Sequence, residues 1–178
     1  MGQGFSNYLI ISKSLQKPPN NLPADKNNPH IFLDIDGVLN CARARTVYRS
    51  THLPSTELLS NLKKIADEIP NLIIILSSTW RLTATQRHAV DRSLAYVNLT
   101  ISGYTPDKDV DASGDRPDEI FEYIRENNLQ DNPWVAIDDM DMIAMNNNLN
   151  TINFCRTDDY EGLTEEKAYE VIEKLRHQ

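Results

Sequence analysis

The chain has 178 residues, 40% of them hydrophobic, and a formal net charge of −8. A chain of this length can bury the core of one compact domain, and its acidic balance opposes loose electrostatic binding to nucleic acid. The two cysteines, Cys41 and Cys155, lie far apart and lack the spacing of a disulfide framework or a zinc site, which predicts a reducing, cytoplasmic setting.

The first 29 residues differ in composition from the rest of the chain. They are rich in proline, asparagine and charge, which predicts an extended or disordered leader over 1–29 before a domain over 30–178. The opening MGQGFS matches the glycine-plus-serine pattern for N-myristoylation at Gly2. Such short matches are mostly accidental, so membrane attachment through an acyl group is the less favoured interpretation. No apolar stretch reaches the length of a transmembrane helix.

Apolar runs alternate with helical patterns from residue 31 onward. Strands are predicted at 31–35, 72–76, near 99–102, at 133–137 and at 151–154. A loop is predicted from the first strand to Pro54. Helices are predicted from Ser55 onward, near 84–96, at 116–127 and at 165–176, with a short helical piece after 137. This alternation predicts an α/β fold with an open, mainly parallel sheet in three layers and no second domain.

The first apolar run, residues 31–40, reads IFLDIDGVLN and carries two aspartates into a glycine turn. Side chains alternate along a strand, so Asp34 and Asp36 are expected to point the same way. Two carboxylates at one strand end repel each other. The arrangement is stable around a cation, or where one carboxyl stays charged and the other carries a proton. On these residues alone, a surface turn is an equally good interpretation.

Two further apolar runs also end in polar residues. LIIILSSTWR, at 72–81, ends in hydroxyl residues, and PWVAIDDMDM, at 133–142, ends in the adjacent acids Asp138 and Asp139. Apolar runs without alternation suit strands buried on both faces of a parallel sheet, where the ligand site lies beyond the carboxyl ends of the strands. We therefore expect the first acid pair, the hydroxyls and the second acid pair to lie along one edge of the sheet.

These motifs resemble, in order, the four motifs of the haloacid dehalogenase-like (HAD) phosphatases. The matching parts are DIDGV (34–38), SS (77–78), a basic residue on a later helix, and DD (138–139). The chain is most similar to the small HAD domain of RNA-repair (Swiss Army Knife) proteins, over roughly residues 30 to 175. That closer likeness depends on four segments, which are SSTWR (77–81), GYTP (103–106), RPDEI (116–120) and GLTEE (162–166).

The resemblance implies a nucleophile, a proton-transfer residue and a metal site. Asp34 matches the aspartate that attacks phosphorus and forms a phosphoaspartate. Asp36 matches the residue that protonates the leaving oxygen and then activates water, and its backbone carbonyl is an implied Mg²⁺ ligand. Asp34 and Asp139 are the other implied ligands, with Asp138 supporting them. Hard oxygen donors at these positions favour Mg²⁺ over Zn²⁺.

Phosphate-binding residues complete the resemblance. Ser77 matches the second motif and Ser78 adds its backbone N–H, but the strand end leaves open which serine is the equivalent one, and helix capping is the alternative role. The third motif is normally a lysine, and two basic residues compete for this place. Arg116, directly before Pro117 at a predicted helix start, is favoured over Lys108, because a helix start suits a cation that faces phosphate.

Other residues near these motifs have less specific interpretations. Arg81 is predicted either to contact substrate or to form a structural ion pair with an acid such as Asp138. Trp80 is predicted to pack in the core, and Asn40 is close enough to the first motif to line the mouth of the site. The arginines after the first motif form either a basic patch or a solvated loop, and they are Arg43, Arg45 and Arg49.

The spacing of the motifs bears on substrate size. Residues 41–76 and 81–116 are already filled by predicted helices and a strand, so neither stretch has room for the cap domain that HAD enzymes for small metabolites often insert there. The resemblance therefore implies a capless Mg²⁺-dependent phosphomonoesterase with an open site, acting on a phosphorylated macromolecule. Phosphoprotein, including phosphotyrosine, is favoured over nucleic-acid ends, and no stable nucleic-acid complex is expected. A small phosphate ester and a non-catalytic phosphate- or metal-binding domain stay open as alternatives.

Overall fold

Short apolar runs form the strands of one parallel sheet. The computed structural model describes residues 27–48, 53–107 and 116–178. The strands are β1 (His30–Leu33), β2 (Ile73–Leu76), β3 (Gly103–Tyr104), β4 (Trp134–Asp138) and β5 (Phe154–Arg156). Their order in the sheet is β3-β2-β1-β4-β5, and every neighbouring pair is parallel. The predicted α/β fold with an open parallel sheet is therefore confirmed.

The described residues also form six α-helices and one 3₁₀ turn, Thr79–Arg81. The helices are α1 (Ala42–Tyr48), α2 (Thr56–Glu68), α3 (Ala84–Tyr96), α4 (Arg116–Glu126), α5 (Met142–Met145) and α6 (Glu165–Arg176). Successive side chains of β1 lie on opposite faces of the sheet. Leu33 shares a core cluster with residues of α2, α3 and α6, whereas Phe32 shares one with residues of α4 and α5. Helices thus cover both faces, which confirms the three layers.

Apolar residues spaced three or four apart give the long helices a buried face. The Thr164 hydroxyl accepts a hydrogen bond from the backbone N–H of Lys167 and caps α6. The bounds predicted for α3 and α6 are the observed ones. The buried residues of α2 are Leu58, Leu59, Leu62 and Ile65, and those of α6 are Ala168, Val171, Ile172 and Leu175.

The segment after the first motif differs from its prediction. It is predicted as a loop to Pro54, but its described part forms α1. The backbone N–H groups of Ala42 and Arg43 donate hydrogen bonds to the carbonyls of Asp159 and Tyr160. Because these carbonyls belong to the segment after β5, the start of α1 depends on a contact that no local pattern indicates.

Two predicted strands are wrong in position. The third strand lies at 103–104 instead of 99–102, since hydrogen bonding to β2 begins only at the N–H of Ser102. The last strand begins at 154 instead of 151. The Asn150 side chain accepts hydrogen bonds from the N–H groups of Ile152 and Asn153, which holds a turn ahead of this strand.

Some predictions fall outside the described residues. These are the leader up to residue 26 with the acylation pattern at Gly2, and two basic residues, Arg49 and Lys108. Within the described ranges, no helix combines the length and the apolar character needed to span a bilayer. HAD enzymes often insert a cap domain at 41–76 or at 81–116. The described part of the first stretch contains α1 and α2, that of the second contains α3 and β3, and neither described part contains a cap domain.

Candidate metal and phosphate site

Polar residues meet where three neighbouring strands end. The register pairs the last residue of β1 with the last residue of β2 and with Ile137 of β4, so the next residues, Asp34, Ser77 and Asp138, lie level with one another. The Asp34 N–H donates to the carbonyl of Ile137 at 3.0 Å, and the Ser77 N–H donates to the carbonyl of Leu33 at 2.8 Å. These hydrogen bonds fix the three residues at the carboxyl edge of the sheet.

Asp34, Asp138 and Asp139 form a carboxylate cluster, in which one oxygen from each lies within 4.8 Å of the others. Asp34 and Asp138 are 4% and 1% exposed, and Asp139 is half-buried. Burial raises the pKa of Asp34 to about 7, against the opposing charge of Arg116 and with a further rise from Asp138. Burial and the charge of Asp138 also raise the pKa of Asp139. A cation in the cluster would therefore favour the charged forms of Asp34 and Asp139.

Arg116 supplies positive charge to this cluster. It is the first residue of α4, and its Nη1 lies 3.0 Å from Oδ1 of Asp34 and also contacts Oδ2 of Asp138. Burial acts to lower the pKa of Arg116, but the two carboxylates outweigh burial and raise that pKa, so the guanidinium stays charged. A planar guanidinium at this edge is able to hold two phosphoryl oxygens at once.

Ser77 and Ser78 follow β2 at the sheet edge where Asp34 follows β1. Ser77 is 1% exposed, and its Oγ has no hydrogen-bond partner among the described residues. A buried hydroxyl without a partner costs free energy, so it suits a ligand that enters the site. The Ser78 side chain, by contrast, hydrogen-bonds Asp34, and its Oγ accepts from the N–H of Trp80 at 3.4 Å. Of the two serines, Ser77 is thus the one whose hydroxyl has no partner among the described residues, and its phosphate-binding role stays a prediction.

Asp36 is not one of the three clustered carboxylates and is exposed. It lies in the turn after β1, where its Oδ1 accepts a hydrogen bond from Nδ2 of Asn40 at 2.7 Å. Its Oδ2 accepts a hydrogen bond from Nε1 of Trp80 at 2.8 Å. The resemblance implies that Asp36 contacts the metal through its backbone carbonyl, and this contact stays a prediction.

Gly37 allows this turn to approach the cluster closely. Its φ is +73°, a conformation that favours glycine. A Cβ at this position would lie 2.4 Å from Cγ of Asp139, so any side chain would displace that carboxylate. The Thr157 hydroxyl donates a hydrogen bond to the Gly37 carbonyl at 2.9 Å. The first and fourth motifs therefore pack directly against each other through a bare backbone.

Arg81 has a structural role. Its Nη2 lies 2.7 Å from Oε1 of Glu119 on α4, and both side chains are buried. Arg81 thus forms the predicted ion pair, but with Glu119. Asp138, which the sequence suggests as an example of its partner, pairs with Arg116 instead. The pair ties the 3₁₀ turn to the helix that carries Arg116. The guanidinium also donates to three carbonyls, those of Ser78, Thr105 and Pro106.

We expect Arg81→Ala to lower the free energy of unfolding by about 3–5 kcal/mol, because Glu119 would keep a buried charge without a partner. Arg176→Ala is the matched control. It removes ion pairs with Glu68 and Glu173 whose side chains are about half exposed or more, and it should cost less than about 1 kcal/mol. Urea denaturation measures both losses. Equal losses would contradict a structural role for the buried pair.

Charges around the mouth are mixed in sign. Arg43 is paired with Glu57 at 2.8 Å and with Glu161 at 2.7 Å, so its charge is already neutralised. A cavity of about 480 Å³ opens beside Asp139, and both acidic and basic side chains line it. Its other lining residues are Arg156, Thr157, Asp158, Asp159 and Lys167. Of the arginines after the first motif, Arg43 therefore does not contribute a free charge to a basic patch.

The residues of the cluster fit a hard divalent cation. All three donors are carboxylate oxygens, which favours Mg²⁺ over Zn²⁺. Ser77, whose hydroxyl has no partner among the described residues, lies at the same sheet edge and fits an oxygen-rich ligand that accompanies the ion. Asp34, Asp138 and Asp139 are the side chains that would hold it, so Asp138, predicted only as a support, belongs to the same cluster as Asp139.

The motifs do not predict two residues that bind the Asp36 side chain. Asn40 is predicted only to line the mouth and Trp80 only to pack, yet both hydrogen-bond Asp36. A buried indole N–H needs an acceptor, and this requirement is the signal that links Trp80 to a nearby acid. Lys108 lies outside the described residues, so the structure gives the position of Arg116 alone, and the preference for Arg116 over Lys108 stays a prediction.

A family model described as the HAD domain in Swiss Army Knife RNA repair proteins matches residues 30–168. The matched range begins with β1 and ends inside α6, so it contains all five strands of the described sheet and the whole candidate site. No curated protein and no solved structure matches the chain.

Proposed function

The chain belongs to the family of HAD domains found in Swiss Army Knife RNA repair proteins, and on that premise we propose that it is a Mg²⁺-dependent phosphomonoesterase that forms a phosphoaspartate at Asp34. The supporting observation is the meeting of three carboxylates, a guanidinium and an unpartnered hydroxyl at one sheet edge. Phosphoryl transfer to a carboxylate needs these parts, namely a nucleophile, a cation site and donors for the phosphoryl oxygens.

In the proposed reaction the Asp34 carboxylate attacks phosphorus, and the bond from phosphorus to the leaving oxygen breaks. Asp36 gives its proton to that oxygen, so the product alcohol leaves as a neutral molecule. Water then attacks the phosphorus of the phosphoaspartate and gives a proton to Asp36. This second step releases inorganic phosphate and restores both aspartates to their starting states.

The other residues of the site hold the phosphoryl group in place for both steps. Arg116 and the Ser77 hydroxyl donate hydrogen bonds to its oxygens, which carry more negative charge in the transition state. Asp34, Asp138 and Asp139 would hold the metal. When bound, Mg²⁺ cancels the repulsion between the anionic nucleophile and the anionic phosphate.

We propose a phosphorylated protein as the substrate, with phosphotyrosine among the accessible groups. The support is the open site, since the described residues hold no cap domain, and the acidity of the chain, whose net charge is −8. Such a charge repels a polyanion. The free, buried cysteines fit a reducing compartment, so we place the reaction in the cytoplasm.

A phosphatase of nucleic-acid ends is the second candidate. The description of the matching family favours it, because that family is named for RNA repair proteins. A domain that binds metal and phosphate without turnover is the third. The presence of both Asp34 and Asp36 supports turnover, because each has a separate task in the proposed chemistry.

Turnover of p-nitrophenyl phosphate with Mg²⁺ tests the activity, and EDTA in place of Mg²⁺ should abolish it. Substrate choice is tested by kcat/KM for phosphotyrosine peptides and for oligonucleotides with a 5′- or 3′-phosphate, in one buffer. We expect the peptides to be preferred. A preference for oligonucleotides would put the second candidate first, and a lack of turnover with every substrate would leave the binding domain.

The raised pKa of Asp34 predicts that the metal-free protein loses stability as the pH rises. The pKa of about 7 in the folded chain exceeds the ordinary value of 3.8, so between these values only the folded chain holds the proton. The stability that this proton contributes is complete below about pH 4 and is lost as the pH rises through about 7.

Urea denaturation in EDTA between about pH 5 and about pH 8 checks this expectation. The free energy of unfolding of the wild type should fall relative to that of Asp34→Asn, which cannot titrate at this position. Mg²⁺ should restore the stability of the wild type at the upper end of this range, because the ion takes the place of the proton. Parallel pH profiles for the two proteins would contradict the assignment.

A further inference from the structure

The Asp36 carboxylate is held at both oxygens by side chains that the motifs of the site do not include. Asn40 Nδ2 donates to Oδ1 at 2.7 Å, and Trp80 Nε1 donates to Oδ2 at 2.8 Å. Asp36 itself is exposed, whereas Asn40 and Trp80 are 1% and 6% exposed. A carboxylate at the mouth of the site is therefore attached to two donors that are fixed in the core.

The donors are fixed by their own surroundings. The Asn40 N–H donates to the carbonyl of Ile35, and the Asn40 carbonyl accepts from the N–H of Gly37, so the residue closes the turn that contains Asp36. Trp80 lies in the 3₁₀ turn after β2, where the Ser78 hydroxyl accepts its backbone N–H. The backbones of both donors are thus held in place and both side chains are buried, so their two hydrogen bonds restrict rotation of the Asp36 carboxyl group.

We propose that Asn40 and Trp80 are positioning residues for proton transfer by Asp36. The inference rests on the proposed function, in which Asp36 protonates the leaving oxygen. An indole N–H and an amide N–H are donors only, so a proton on Asp36 cannot lie along either of these two hydrogen bonds. It is restricted to the remaining lone pairs of the carboxyl group. The two hydrogen bonds thus orient the Asp36 carboxyl group before the substrate binds, so the group does not have to reorient during the reaction.

The test compares two leaving groups in Trp80→Phe. p-Nitrophenolate leaves without a proton, whereas the alkoxide of glycerol 2-phosphate needs one, and kcat/KM for each substrate reports the step that forms the phosphoaspartate. We expect kcat/KM for p-nitrophenyl phosphate to stay within about threefold of wild type, and kcat/KM for glycerol 2-phosphate to fall roughly 10- to 100-fold. A purely structural defect would lower both values by the same factor.

Trp134→Phe is the matched control. Trp134 begins β4, at the opposite end of the strand from Asp138, and it packs against Phe32 and Phe121. Its loss should leave the ratio of the two kcat/KM values unchanged. If Trp80→Phe does not fold, benzothienylalanine at position 80 replaces only the indole N–H with sulfur and should change the ratio in the same direction.

A second readout needs neither metal nor turnover. The chain has two tryptophans, so its metal-free ¹⁵N–¹H spectrum holds two indole signals, which the two phenylalanine variants assign. Asp36→Asn should move the Trp80 signal, because an amide replaces the carboxyl group that accepts its indole N–H, and should leave the Trp134 signal in place.

The outcomes separate this inference from the function on which it rests. An unchanged ratio of kcat/KM values in an active Trp80→Phe protein, or an unmoved Trp80 signal in Asp36→Asn, would overturn the positioning role and leave the phosphatase intact. A wild-type protein that turns over neither substrate, while its Trp80 signal responds to Asp36→Asn, would overturn the function and leave the contact in place.

Discussion

Asp34→Asn is expected to lower kcat for p-nitrophenyl phosphate by about 10⁴-fold or more, because an amide cannot attack phosphorus or carry the phosphoryl group. The substitution keeps the size of the side chain and removes its charge. Asp34 is buried beside Arg116, Asp138 and Ser78, so a larger change would disturb the site as a whole. Steady-state turnover with saturating Mg²⁺ measures the loss.

Asp67→Asn is the matched control for this loss. Asp67 lies on α2, its side chain is 61% exposed, and it forms a surface ion pair with Lys63. Its replacement should leave kcat unchanged. If Asp34→Asn kept more than about a tenth of the wild-type kcat, a nucleophilic role for Asp34 would be ruled out, and water would have to attack the phosphate directly.

Arg116→Met is expected to change metal binding and turnover in opposite directions. In the metal-free protein the guanidinium contacts both Asp34 and Asp138, so it occupies part of the space and cancels part of the charge that a cation would use. Without it, Mg²⁺ should bind more tightly, by roughly threefold to tenfold. Turnover should nevertheless fall, with kcat/KM lowered by about 10²-fold or more, because the phosphoryl oxygens lose their charged donor.

Arg116→Lys should give intermediate turnover, since a lysine restores a point charge but not the planar pair of donors. Isothermal titration with Mg²⁺ and steady-state kinetics measure the two effects on the same preparations. Arg125→Met is the matched control, because Arg125 lies on the same helix and its side chain is 71% exposed. Weaker Mg²⁺ binding in Arg116→Met would contradict the competition between guanidinium and metal.

The fold is predictable from sequence where local patterns decide it. The apolar spacing and the Thr164 cap give α6 its observed bounds, and unalternating apolar runs mark β1, β2 and β4. The pattern fails where tertiary hydrogen bonds decide, as at α1, which begins on carbonyls of Asp159 and Tyr160. The strand after Asn150 is misplaced for a related reason, since a side chain there caps a turn and delays the strand.

The candidate site shows the same division. The meeting of three polar residues at one sheet edge is predictable from parallel topology, because the carboxyl ends of parallel strands lie at one edge. These residues are Asp34, Ser77 and Asp138. Which charged side chains then pair depends on which side chains of different helices and strands come within contact distance. The contact of Arg116 with Asp34, like that of Trp80 with Asp36, joins residues far apart in sequence, and no periodicity encodes it.

Acid quenching during turnover, followed by mass spectrometry of the peptides, tests the nucleophilic role of Asp34 most directly. The enzyme is mixed with excess p-nitrophenyl phosphate and Mg²⁺ and quenched in the steady state, and a borohydride-treated sample traps any acyl phosphate as homoserine. We expect one phosphoryl group on the peptide that contains Asp34, and homoserine at that position after borohydride. Active turnover that leaves the Asp34 peptide unmodified, or that labels a different residue, would contradict the account.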